Sequence, residues 1–234
     1  AEALRFRGHL LAAERVVRDA IALRPQSDDA RRASLTRELG EVLFRQGRND
    51  DALAAVRAAE ESFVRVGDAQ GQAHTLLNIG QVLFRQGRND DALDAFRRAD
   101  EVYARVGDEL GQANASLGIG DVVLRQGHYG AAIEAFVRAD EGYERVGDEF
   151  SRANASLSLA TALFSQGRTG DALDAFRRAD EVYTRLGDEL GQANVSWLTG
   201  EVLTRQGSFD AALHMFWQSH GSYARLGDEL GQAN

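Results

Sequence analysis

The dipeptide Gly-Asp occurs at Gly67-Asp68, Gly107-Asp108, Gly147-Asp148, Gly187-Asp188 and Gly227-Asp228, a spacing of 40 residues each time. A second glycine series, Gly47, Gly87, Gly127, Gly167 and Gly207, falls midway between these marks. A fixed period of this length restricts a chain to stacked copies of one small unit, because a single copy cannot bury its apolar face alone. Two stops in every period mean two elements in every unit. Composition says which kind: Pro appears once, at Pro25, β-branched residues are sparse, and Ala, Leu, Arg, Asp and Glu dominate. That mixture favours helix.

Each mark has a physical task. Glycine enters the left-handed conformation that ends a helix, so both glycine series read as stops. Asp108 and its equivalents follow at once and supply an acceptor for the free N–H groups of the next helix. Between the marks, apolar residues fall at helical spacing, as in Leu76, Ile79 and Leu83 on one helix and Ala92, Phe96, Ala99 and Tyr103 on the other. Gly80, Gly120 and Gly200, with Ala160 in one copy, allow the two helices to approach closely opposite Ala92, Ala132, Ala172 and Ala212. Phe96, Phe136, Phe176 and Phe216 then fill the space between neighbouring copies. The segment at 85–114 returns almost unchanged at 165–194, which implies recent duplication or deliberate consensus design. The expected fold is all-α, a solenoid of five full helix hairpins with broken copies at both ends.

The order Gly80, Leu83, Gly87, Ala92, Phe96, Ala99 resembles the tetratricopeptide repeat, and the resemblance covers essentially the whole chain. It implies a right-handed superhelix of antiparallel hairpins. The long repeat, with Gly-Asp at the junction, looks like Pins-type adaptors and, more closely, like the arrays of bacterial signalling regulators. The aromatic expected two residues after the mid-repeat glycine survives only as Tyr129 and Phe209; Asn49, Asn89 and Thr169 replace it and are expected to cap the helix. The resulting division is 1–32 a partial, degenerate repeat and linker helix, then repeats at 33–72, 73–112, 113–152, 153–192 and 193–232. Residues 229–234 begin a further, truncated repeat, so the chain is expected to be a fragment of a longer protein or to stack through its open ends.

Several kinds of chemistry are disfavoured. There is no Cys, which excludes disulfides and thiolate metal sites and makes a reducing, cytoplasmic setting the expectation. The formal net charge of −9 argues against nucleic acid as a partner. No apolar run is long enough to span a membrane. His9, His74, His128, His214 and His220 share no repeat position, so no metal site is expected, and the glycines form no phosphate loop. No cofactor and no catalytic residue is assigned; the chain is not expected to be an enzyme. All 27 basic residues are Arg, the pattern of a GC-rich bacterial genome or of selection for the guanidinium group.

The resemblance implies that the first helix of each repeat lines a concave, peptide-binding groove. Carried onto this sequence, one ladder runs Ser34, His74, Asn114, Asn154, Asn194, and a second Arg37, Leu77, Leu117, Leu157, Trp197. Further along the helix come Glu41, Gln81, Asp121, Thr161 and Glu201, then Arg45, Arg85, Arg125, Ser165 and Arg205. Asn both donates and accepts, so stacked Asn side chains suit the backbone of an extended peptide. Leu and Trp197 would supply apolar contacts, and the Arg ladder would attract carboxylates or phosphates. The expected function is a protein-interaction scaffold or sensor within a larger bacterial signalling protein, with a peptide or protein segment as ligand. The alternative is a self-assembly module whose unfinished ends stack into homo-oligomers.

Overall fold

The computed structural model describes residues 2–25 and 29–227; the short repeat expected at 229–234 lies outside them. Among the described residues there are eleven helices and no strand. They are α1 Glu2–Ala22, α2 Asp29–Arg45, α3 Asn49–Val66, α4 Ala69–Arg85, α5 Asn89–Val106, α6 Glu109–Arg125, α7 Tyr129–Val146, α8 Glu149–Ser165, α9 Thr169–Leu186, α10 Glu189–Arg205 and α11 Phe209–Leu226. They fall into two compact units, Ala1–Val122 and Val123–Asn234. No helix among the described residues is long and apolar enough to cross a membrane.

The glycine marks act as stops. Gly107 takes φ 75° and ψ 26°, the left-handed conformation, at the end of α5, and its backbone N–H donates back to the Tyr103 carbonyl. The next residue opens the following helix: Asp108 Oδ1 accepts from the Gly111 N–H at 2.8 Å. Asp68 and Asp148 cap α4 and α8 in the same way, through Gly71 and Ser151. Asp188 makes no such bond at the start of α10.

The other junction behaves differently from expectation. The residues at the N-cap of α3, α5 and α9 are Arg48, Arg88 and Arg168, none with a side-chain capping bond. Asn49 and Asn89 stand one position later, inside the first turn, and their Oδ1 atoms are buried without a hydrogen-bond partner among the described residues. One residue separates the left-handed glycine from the helix, and that residue is the arginine. Its guanidinium pairs with the carboxylate three residues on, Arg48–Asp51, Arg88–Asp91 and Arg168–Asp171, each at 2.6 Å. These pairs are solvent-exposed and contribute at most a few tenths of a kcal/mol each, roughly the value of helical side-chain pairs.

Within each compact unit consecutive helices pack along the chain, and the core is the set of small and aromatic residues the repeat places between them. Ala92, Ala99 and Tyr103 are fully buried, as are Ala172, Ala179 and Tyr183 in the second unit. Phe96 shows how the layers lock. A Cβ on Gly80 of the same hairpin would lie 2.6 Å from its ring, and a Cβ on Gly118 of α6 would lie 2.7 Å away. Burial of that ring is worth about 2–3 kcal/mol, and both helices must be bare of side chain for it to fit. The close approach is not uniform, since α8 carries Ala160 and Ser151 where α4 has Gly80 and Gly71.

The helices form two layers in each unit. First helices touch across a repeat, α2 with α4 and α8 with α10.

Capping gives a direct test. Asp148→Ala should lower stability by about 1 kcal/mol, the usual value of a lost N-cap bond, whereas Asp188→Ala should cost clearly less. Paired urea denaturation curves measure the difference; equal losses contradict this account of the junction.

Candidate functional site

The candidate residues all lie on the first helices, α2, α4, α6, α8 and α10. His74, Asn114, Asn154 and Asn194 are all partly exposed, as are Leu77, Leu117, Leu157 and Trp197. Gln81, Arg45, Arg85, Arg125 and Arg205 are exposed, and Asp121 is half-buried. A small cleft in the first unit, lined by Gly40, Glu41, Phe44, Val56, Asn78, Gln81 and Val82, brings together Glu41 and Gln81 of one ladder. Among the described residues no group of His, Asp and Glu is placed to hold a metal ion.

The Asn side chains are tied to the core from one side. In the second unit the Tyr183 hydroxyl donates to Asn154 Oδ1 at 2.7 Å, and the Tyr223 hydroxyl donates to Asn194 Oδ1. Each tyrosine comes from the second helix of the same repeat, 29 residues on. The expectation that these carboxamides both donate to and accept from a peptide is therefore narrowed. The oxygen is used internally, and the Nδ2 amide hydrogens remain for a ligand. The bond also fixes which end of the carboxamide faces the tyrosine. Burial, reinforced by the Asp188 carboxylate, pushes the Tyr183 phenol up to about 12, so it stays a donor throughout the neutral range.

The Arg ladder is likewise partly engaged. The Arg85 guanidinium lies 3.9 Å over the Phe44 ring and donates to the Phe44 carbonyl at 3.2 Å. Arg205 repeats both contacts on Phe164 with the same distances. Arg45 has no aromatic in this role and pairs with Glu41 at 2.7 Å. A cation over an aromatic face at an exposed site contributes about 0.5–1 kcal/mol, so these arginines clip one first helix to the preceding one. They keep exposed N–H groups, but they are not free charges awaiting a carboxylate. Trp197, expected to supply an apolar contact, is half-buried with its ring 4.9 Å from Phe216.

One rung departs from the rest. Where the last three repeats carry Asn and the first carries Ser34, the second carries His74, whose ring meets Tyr103 edge-on at 5.4 Å between centroids. His74 Nε2 lies 3.9 Å from Asp108 Oδ2. The Tyr103 hydroxyl is buried and has no hydrogen-bond partner among the described residues. Burial pushes this phenol up strongly, the Asp108 carboxylate adds to the effect, and the Arg37 guanidinium opposes it.

Sequence reasoning missed the tyrosines and the Arg–Phe clips, although both leave a trace. Tyr143, Tyr183 and Tyr223 follow Asn114, Asn154 and Asn194 by 29 residues, while Ser34 is followed by Phe63, which has no hydroxyl. Arg follows Phe by 41 residues at 44/85, 84/125 and 164/205, and Leu124 is followed by Ser165.

With hairpins and caps in place, comparison with known proteins identifies the class. The tetratricopeptide repeat profile matches residues 31–103, 72–145 and 151–224, and the chain belongs to the tetratricopeptide repeat family. Its structure is similar to that of BtubC (BKLC) from P. vanneervenii, at 16% identity and a TM-score of 0.78, over 94% of this chain and 91% of that one. It is also similar to a Rap protein complexed with competence and sporulation factor, at 16% identity and a TM-score of 0.75, over 85% of this chain and 56% of the other. A third is the Rap conjugation gene regulator of plasmid pLS20 in complex with the Phr* peptide, at 17% identity and a TM-score of 0.69, over 86% and 56%. The chain thus spans little more than half the length of either Rap protein. At such identities the likeness concerns the fold, an all-α solenoid of helix hairpins. No curated protein matches the chain by sequence.

The tyrosine contacts predict a contrast. Tyr183→Phe should destabilise the chain by about 1 kcal/mol through loss of the bond to Asn154, whereas Tyr103→Phe should be neutral or slightly stabilising because its hydroxyl has nothing to lose. Thermal melts of the two variants check this, and similar losses in both overturn it.

Proposed function

We propose that the chain is a protein-interaction module, part of a larger bacterial signalling protein, that binds an extended peptide or protein segment on the inner faces of its first helices. The observation that carries this reading is the tethered Asn. A half-exposed carboxamide whose oxygen is held by a buried tyrosine presents its N–H groups in a fixed direction. An extended peptide has unpaired carbonyls to meet them. Leu157, partly exposed and one turn along α8 from Asn154, supplies an apolar contact beside that donor. The two Rap structures that hold a factor or a peptide support the reading by likeness of fold.

The test is substitution of Asn154 and Asn194 to Ala, with peptides selected from a random library as probes and helicity followed by circular dichroism. Each lost donor should weaken binding by about 1 kcal/mol, so the pair by roughly tenfold or more, at unchanged helicity. Unchanged affinity contradicts the groove mechanism.

A second reading, self-association, is favoured by one surface. Phe209, Leu213 and Trp217 follow one another at i, i+4 and i+8 on α11 and are 67%, 55% and 66% exposed. Arg occupies the Trp217 position in three other repeats, at Arg57, Arg97 and Arg177. If the stripe joins two copies, light scattering shows mass rising with concentration, and Trp217→Arg returns it to that of a monomer. A monomer at all concentrations rules this reading out.

A further inference from the structure

The second helix of each repeat carries a dense pattern of charge, and α11 breaks it. From end to end α3, α5, α7 and α9 hold six, eight, six and seven Asp, Glu and Arg residues, whereas α11 holds two, Asp210 and Arg225. The acid at positions 60, 100, 140 and 180 becomes His220, and the Glu at 61, 101, 141 and 181 becomes Gly221. Trp217 stands where α3, α5 and α9 have Arg. The face cleared in this way is not one on which the array stacks. In α9 the corresponding Asp174, Arg177, Glu181 and Arg185 all stay exposed, although α10 packs against that helix. A face left to solvent has no reason to shed charge, and loss of charge together with gain of an aromatic is the composition of a surface that another molecule covers.

We infer that this face of α11 pairs with the same face of a second copy, the two helices running antiparallel about a two-fold axis beside Trp217 and Gln218. This rests on the self-association reading above and gives it a partner helix and a direction. The two charges that remain select both. Asp210 stands seven residues before Trp217 and Arg225 seven after Gln218. At 3.6 residues per turn they lie within about 60° of each other, on the side of the helix that carries Trp217. An antiparallel two-fold therefore sets each Asp210 opposite the Arg225 of the other copy, where a parallel pair sets like against like. Asp210 is exposed and makes no hydrogen bond or ion pair among the described residues. Arg225 meets Glu189 at 3.4 Å through Nε and is still 64% exposed, so it can serve a second carboxylate. The same axis brings Gly221 opposite His214 of the other copy; a Cβ at Gly221 would meet only the end of the Arg225 side chain, at 3.8 Å, so a hollow lies there. At about 150–250 Å² for a whole aromatic side chain, the exposed parts of Phe209, Leu213 and Trp217 offer roughly 300–400 Å² per copy. That is about half of what each side of a stable complex buries, which suits a reversible homodimer held by one helix.

Charge exchange tests the pairing, with sedimentation equilibrium of the whole chain as the readout and circular dichroism to confirm unchanged helicity. Asp210→Arg alone, and Arg225→Asp alone, each replace two attractive contacts of the symmetric pair by two repulsive ones. Each should weaken self-association about tenfold, the sum of several exposed ion-pair increments. The double variant Asp210→Arg/Arg225→Asp restores opposite signs at both contacts and should return to within about threefold of the wild type. Single exchanges without effect, or a double variant as weak as the singles, overturn the antiparallel pairing and leave self-association standing. A monomer at every concentration, or self-association that Trp217→Arg does not weaken, overturns the self-association reading and the pairing with it.

Discussion

A glycine in the left-handed conformation ends a helix at Gly47 and Gly67, and at each corresponding position through Gly227. Any other residue there would hold its Cβ against the following carbonyl, at about 1 kcal/mol or more. The rest of the structure depends on these stops. They fix helix length at 17 or 18 residues from α2 to α11. Equal lengths let every copy present the same face to its neighbour. A tightly packed layer such as Phe96 between Gly80 and Gly118 then recurs instead of having to be invented anew. A helix that ran one turn too far would carry the next first helix away from its partner and disengage the aromatic wedge.

The same regularity explains what could be read directly from the residues. The stops, the Asp caps at Asp68, Asp108 and Asp148, and the buried Ala and Phe positions are consequences of local conformation and of periodicity, both visible in one dimension. The contacts that were not legible join residues far apart in the chain. Asn154 reads as a free groove residue until Tyr183 is brought beneath it, and Arg205 reads as a free cation until Phe164 is brought under its guanidinium. Asn49 and Asn89 were misread for a different reason: a capping residue type at a helix start suggests a cap, but the single-residue link places the arginine at that position.

The repeat also shapes how function is distributed. Identical copies present identical chemistry, which suits recognition of a ligand that is itself periodic, such as an extended backbone. Under the proposed function, discrimination among ligands falls to positions where a copy departs from the common pattern. Arg37, His74 and Trp197 are such departures on the first helices, and each changes the local chemistry from the Leu or Asn of its counterparts. The buried tyrosines turn a flexible polar side chain into an oriented donor, a form of preorganisation that lowers the ordering cost of binding.

The most direct test of that account is to follow the side-chain amide resonances of Asn154 and Asn194 by NMR while a library-selected peptide is added. The account predicts that both Nδ2 pairs shift and become protected from exchange with water, while amides on the outer faces of α9 and α11 stay in place. Shifts confined to the second helices, with the Asn side chains unmoved, would contradict it.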